Sequence, residues 1–281
     1  MKLFHVALVL SATLLSACVA TQKSTPINWT NQNQGIEVIK QLPNSLPQQS
    51  AQVSDSQYVM IQSQGGSMIL GPLLGSMNIE ANTKRMAGKL KGHFINVDPY
   101  EISQKRILAK TNFSSSSPSY TLKPFVFIQD SYDEKFRLSL VYHLEGSGWT
   151  GRYSYHLPTS YTKAQFLDPS DGIIAQYKNE MAKGADKLTQ LLHDDISGNL
   201  NANGTKADIG SLYFQGSKVG GLGIYTMPEE IHFPGTDLVE EGDEYVIVRR
   251  QGNMEATVIG GGLIFGVHYF HKDQLHTFVK M

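Results

Sequence analysis

The clearest pattern along the chain is a strict alternation over residues 136–157. Phe136, Leu138, Leu140, Tyr142 and Leu144 alternate with Arg137, Ser139, Val141, His143 and Glu145, which is the two-residue period of a strand with one face on a core. Trp149, Gly151, Tyr153, Tyr155 and Leu157 continue it against Thr150, Arg152, Ser154 and His156. With Gly146-Ser147 as a two-residue turn, Leu144 pairs with Trp149, Tyr142 with Gly151 and Leu140 with Tyr153, so both apolar sets fall on one face of a hairpin. Residues 122–128 supply a third strand. The opposite face carries Arg137, His143, Arg152 and His156 and reads as a water-facing sheet surface able to receive an anionic ligand.

Helical periodicity occurs twice. Leu73, Met77 and Ala81 keep one-face spacing over residues 72–90, with Pro72 in the first turn and Lys84, Arg85 and Lys89 toward the negative end of the helix dipole. Ile174, Tyr177, Met181, Leu188, Leu191 and Leu192 form a stripe over residues 173–196, preceded by the capping run Asp168-Pro169-Ser170-Asp171 and weakened at Gly184. From residue 207 the chain reads as short strands between Gly- and Asn-containing turns, a meander expected to roll into a small barrel or sandwich. The expected fold class is therefore α+β, mostly antiparallel sheet with two helices.

Residues 21–56 are rich in Gln, Asn, Ser and Thr, with Pro26, Pro43 and Pro47 spaced through them. Such a segment buries too little apolar surface to fold alone and reads as a flexible tether, whose apolar island at residues 36–39 is able to dock on the body. Ahead of it, Lys2 is followed by an apolar run over residues 3–15, which has the layout of a secretory signal. That run is too short to span a bilayer, which takes about 20 apolar residues. It ends in Leu15-Ser16-Ala17-Cys18. This stretch resembles the lipobox of bacterial lipoproteins. The resemblance is confined to the N-terminus and implies cleavage before Cys18, a diacylglycerol on its thiol and an acyl group on its new amino terminus. Val19 in place of Asp at the next position implies export to the outer membrane. The expected organisation is a signal peptide at 1–17, a tether at 18–56, an α+β region at 57–200 and a β-rich region at 201–281.

Composition narrows the chemistry. With 24 Lys and Arg against 25 Asp and Glu the chain is almost neutral, so it lacks a general nucleic-acid footprint and no nucleic-acid partner is expected. Cys18 is the only cysteine. Once it is acylated no thiol remains for a disulfide, a zinc site or a nucleophile. No cofactor and no metal site are expected. His268 and His271 point to opposite faces of a strand. The residues His193, Asp194 and Asp195 diverge around a helix end. Asn199, Asn201 and Asn203 have calcium-loop spacing, but Gly210 stands where the bidentate Glu belongs. Ser160 and Lys163 have the serine–lysine spacing of penicillin-binding enzymes and are the one candidate nucleophile and base, without the other two motifs of that family. An acidic run over residues 229–244 carries no Lys or Arg and faces either the basic residues 84–110, a cationic partner or solvent. The function expected is binding or assembly in the cell envelope, with the membrane, through Cys18, and an envelope protein as partners. Ligand binding at the Arg137, His143, Arg152 and His156 face is the first alternative, and serine hydrolysis the second.

Overall fold

The computed structural model describes residues 25–27, 29, 35–44, 46, 50–62, 72–90, 92–110, 118–130, 135–146, 148–202, 204–211, 231–250 and 265–281. In chain order these form β1 (Gly35–Val38), β2 (Ser50–Gln52), β3 (Tyr58–Gln62), α1 (Pro72–Ala87), α2 (Pro99–Ala109) and β4 (Pro118–Asp130). Next come β5 (Lys135–Gly146), β6 (Trp149–Thr162), α3 (Lys163–Leu167) and α4 (Asp171–Ile196). The last part is β7 (Lys206–Ser211), β8 (Ile231–Glu241), β9 (Tyr245–Arg250), β10 (Gly266–His271) and β11 (Leu275–Lys280). All eleven strands belong to one open sheet, ordered β11-β7-β8-β9-β10-β6-β5-β4-β3-β2, with β1 also paired to β4. Most neighbours are antiparallel; β1 with β4, β3 with β4 and β6 with β10 are parallel.

The α+β class with a mostly antiparallel sheet agrees with the expectation, and two details differ. The C-terminal strands do not close into a barrel or sandwich of their own. Val267 and Tyr269 of β10 pair with Tyr153 and Tyr155 of β6, so these strands extend the same sheet and share its core. Four α-helices stand among the described residues where two were expected. The extra two are short and depend on their caps. Asp98 accepts a hydrogen bond from the Tyr100 N–H at 2.9 Å ahead of Pro99, and Thr162 and Gln165 form a reciprocal capping box that starts α3.

The hairpin of β5 and β6 forms with its turn moved by one residue. Gly146 pairs with Trp149, Leu144 with Gly151 and Tyr142 with Tyr153. Gly148 occupies the turn with φ of 73°, a backbone state that glycine adopts without steric cost. At Gly146 a side chain would run into the Ser119 carbonyl of β4. The pairing shifts by two residues in total, and a two-residue period keeps every side chain on its expected face. On that face α4 lays Tyr177, Met181, Ala185, Leu188 and Leu192 against Leu138, Leu140, Tyr142, Tyr153 and Tyr155. Gly184 is the point of closest approach, because a Cβ there would sit 2.7 Å from the Tyr155 ring.

The segment read as a free tether is partly built into the body. Ile36 and Val38 of β1 are buried against the edge of β4, and Ile27 is buried in the same core. Burying a side chain of this size is worth roughly 1.5–3 kcal/mol, which a short apolar island supplies once a sheet edge is there to receive it. Leu42 and Leu46 pass to the other face of the sheet and pack on a second apolar cluster that includes Val59, Ile61, Phe125, Phe127, Val248 and Phe270. The sheet is thus covered on both sides.

Candidate functional site

Because both faces are covered, the polar side of the hairpin is interior. His143, Arg152 and His156 are at most 5% exposed, and only Arg137 is half-buried. This corrects the expectation of a water-facing surface. Alternation told which residues share a face, but not that Phe265 and Phe270, from the C-terminal part of the chain, pack on Arg152 and His156 there. The face is therefore a buried polar stripe within an apolar surface. Cross-strand pairing sets His143 opposite Arg152 and Ser139 opposite His156, and a register shift between Arg137 and Ser139 leaves Arg137 opposite Ser160.

Each polar group in the stripe has an identifiable setting. Lys123 donates to Glu145, whose other oxygen lies 3.2 Å from Nε2 of His143. Burial by itself pushes the Glu145 carboxyl up, but the Lys123 hydrogen bond and the neighbouring charges outweigh it and hold the group below the usual carboxylate range. Burial, reinforced by the charge of Arg152, pushes His143 down to about 3. The Arg152 guanidinium lies 5.6 Å from the Phe127 ring centroid and 5.5 Å from that of Phe265, within cation–π range, and burial lowers it to about 10. Ser139 Oγ lies 2.8 Å from Nδ1 of His156, and Nε2 of His156 lies 3.1 Å from Nδ1 of His268 on β10. The Phe270 ring stacks on His156 at 4.2 Å. Burial first, then His268 and His271, drive His156 well below its ordinary value. A neutral His156 carries one N–H, so it can donate either to His268 or to Ser139, never to both. The described stripe thus holds the cationic side chains of Lys123, Arg152 and half-buried Arg137, the Glu145 carboxylate at its rim and the neutral imidazoles of His143 and His156 inside. The chemistry it offers is recognition of negative charge.

The helix face carries a second polar cluster that the sequence analysis missed. Asp195, in the last turn of α4, accepts from Nη2 of Arg249 at 2.7 Å and from the Tyr153 hydroxyl at 2.6 Å. Both side chains of this ion pair are 2% exposed. A carboxylate at that end faces the negative pole of the helix dipole, so it depends on the guanidinium. The signal was present in the chain: an Asp at the end of an apolar helical stripe and an Arg inside a buried strand run. A third group links α4 to β3, where the Tyr58 hydroxyl bonds Tyr177 at 2.8 Å and donates to the Val97 carbonyl at 2.6 Å.

The other sequence candidates lie apart. Ser160 is half-buried on β6, Lys163 is exposed at the start of α3, and no hydrogen bond joins them among the described residues. His268 and His271 do diverge, His268 to the polar stripe and His271 to the Tyr155 hydroxyl at 3.0 Å. The acidic residues Asp237 and Glu241 pair locally with Lys206, Lys272 and Lys280 rather than with the basic segment, whose Arg106 bonds Asp186 at 2.6 Å. Cys18 lies outside the described residues, as do Glu229 and Glu230. No family model, no curated protein and no solved structure matches the chain.

Proposed function

We propose that this chain is a lipoprotein of the bacterial cell envelope, joined to the outer membrane through acylated Cys18, whose body binds or assembles with another envelope component. The observation that carries this reading is Leu15-Ser16-Ala17-Cys18 placed directly behind the apolar run of residues 3–15. An open sheet suits a docking role, since an edge strand offers unpaired backbone groups to a partner. At one edge, β11 presents Val279 at 52% exposure, followed by Met281 at 63%. The test has two parts. Intact mass of the mature protein should show acyl chains on a new N-terminal Cys18. Cross-linking in intact cells followed by capture should return an envelope partner that a Cys18→Ala form loses. An unacylated mature protein would end the lipoprotein reading, and a lipidated protein without a partner would end the assembly part.

A second reading, recognition of an anion, is favoured by Lys123, Arg152 and Arg137 standing on one face of the sheet. Thermal-shift screening against phosphate, sulfate and carboxylates tests it. A stabilisation that disappears in Arg152→Met supports it, and unshifted melting in all three removes it.

A further inference from the structure

The first described residues sit at one end of the sheet. The Thr25 carbonyl accepts a hydrogen bond from Nε1 of Trp149 at 3.2 Å. Ile27 is buried in the helix-side core. Trp29 stacks on Tyr120 with ring centroids 5.2 Å apart, and Tyr120 meets Trp149 edge-on at 6.2 Å. Trp149 opens β6 directly after the turn, and Tyr120 lies at the start of β4 beside it. The N-terminal segment is therefore stitched to one end of the sheet, the end that carries the β5–β6 turn. Trp29 and Trp149 are the two tryptophans of the chain, and both are part of this cluster.

The distance from Cys18 to this point is bounded by covalent geometry alone. Seven Cα–Cα steps lead from Cys18 to Thr25 (25 − 18), and a chain of that length reaches at most about 25 Å whatever conformation it takes. A folded chain of roughly 250 residues has a radius of gyration of about 18 Å and so a diameter of about 45 Å. The leash is shorter than the body is wide. A body held this way cannot turn its far end to the bilayer, and it meets the lipid with the end to which the leash is stitched.

The side chains at the stitched end suit that orientation. Tryptophan favours the headgroup level of a membrane, where an apolar ring and a polar edge are both accommodated; Trp29 and Trp149 are half-exposed, with buried Tyr120 behind them. Toward the same end α2 finishes with exposed Leu108 and Lys110, the latter 3.5 Å from Gln190 in the last turns of α4.

We propose that in the lipidated protein the Trp29–Tyr120–Trp149 end rests on the bilayer, held there by the short span from Cys18 to Thr25. This rests on the lipoprotein reading, and the experiment separates the two. Full-length lipidated protein is reconstituted into phosphatidylethanolamine–phosphatidylglycerol vesicles whose acyl chains are brominated near the glycerol, and tryptophan emission is compared with that in unbrominated vesicles. Emission should be lower in the brominated vesicles, since indoles at the interface lie at the depth of the bromines. A form with a Gly/Ser insert of about 20 residues between Ala20 and Thr21, which adds up to about 70 Å of reach, should lose the quenching while still floating with the vesicles. Trp29→Phe and Trp149→Phe forms assign the signal to each ring. Co-flotation with acylated Cys18 but without quenching overturns the orientation and leaves the lipoprotein reading standing. Equal quenching with the insert shows that the leash is not what holds this end down and also overturns the proposal. Absence of both acylation and flotation overturns the lipoprotein reading and the orientation with it.

Discussion

Removing Asp195 tests whether the C-terminal strands and α4 are one mechanical unit. Its carboxylate accepts from Arg249 on β9 and Tyr153 on β6, so one side chain ties the end of α4 to strands on both sides of the β6–β10 pairing. Asp195→Ala strands a guanidinium that is 2% exposed. Breaking a buried pair from one side costs about 3–5 kcal/mol, because the remaining charge stays desolvated. A loss of about 4 kcal/mol is a large part of a total stability of about 5–15 kcal/mol, and in a chain of this size it lowers Tm by about 8–16 °C. Urea unfolding measures the loss as a lower midpoint at an unchanged m-value. Arg249→Met alone should cost a similar amount, since it leaves the carboxylate at the negative end of the α4 dipole. The double variant Asp195→Ala/Arg249→Met should recover about 2 kcal/mol or more relative to the sum of the singles, as an apolar replacement of a buried pair often does. Singles that cost less than about 1 kcal/mol, or a strictly additive double, would refute the idea that this pair joins the two halves.

Three further outcomes follow from the same structure. Gly184→Ala improves helix propensity by about 1 kcal/mol yet drives a Cβ to 2.7 Å from the buried Tyr155 ring, so urea unfolding should show a net loss of about 1–2 kcal/mol; a gain would mean that α4 moves away without cost. His143 and His156 stay neutral in the fold, whereas unfolded histidine titrates near 6.5. The unfolded chain therefore takes up protons that the folded one refuses, and stability is complete above about pH 6.5 and falls below it by about 1.4 kcal/mol per pH unit for each histidine. Thermal melts from pH 7 to 4 should show this slope, flattened in His156→Gln, and an unchanged slope in that variant would remove His156 from the account. Lys163→Ala, at an exposed helix start, should shift stability by no more than about 0.5 kcal/mol and leave any envelope phenotype intact; a lost phenotype in the stable variant would revive the serine–lysine pair.

Much of the body was legible because its information is local. The alternation over residues 136–157 names the strands and the partition of their faces, and the stripe over 173–196 names α4 almost to the residue. A two-residue slide in pairing left every face correct, since period two is indifferent to it. The short helices α2 and α3 carried their signals in caps, Asp98-Pro99 and Thr162 with Gln165, rather than in periodicity, and a search for stripes passes over them.

What the chain determined by itself is the long elements and the membership of each of their faces. What only the tertiary structure decided is which of those faces is wet. Arg152 and His156 look solvent-facing from alternation, and they are interior because Phe265 lies against Arg152 and Phe270 of β10 stacks on His156, both more than 100 residues away in sequence. Likewise Ile36 and Val38 are too few to fold alone and join the body only because β4 offers an edge. Burial is a property of contacts between distant segments, whereas periodicity is a property of neighbours, and for this reason the candidate site changed from a surface to a buried stripe while its membership did not.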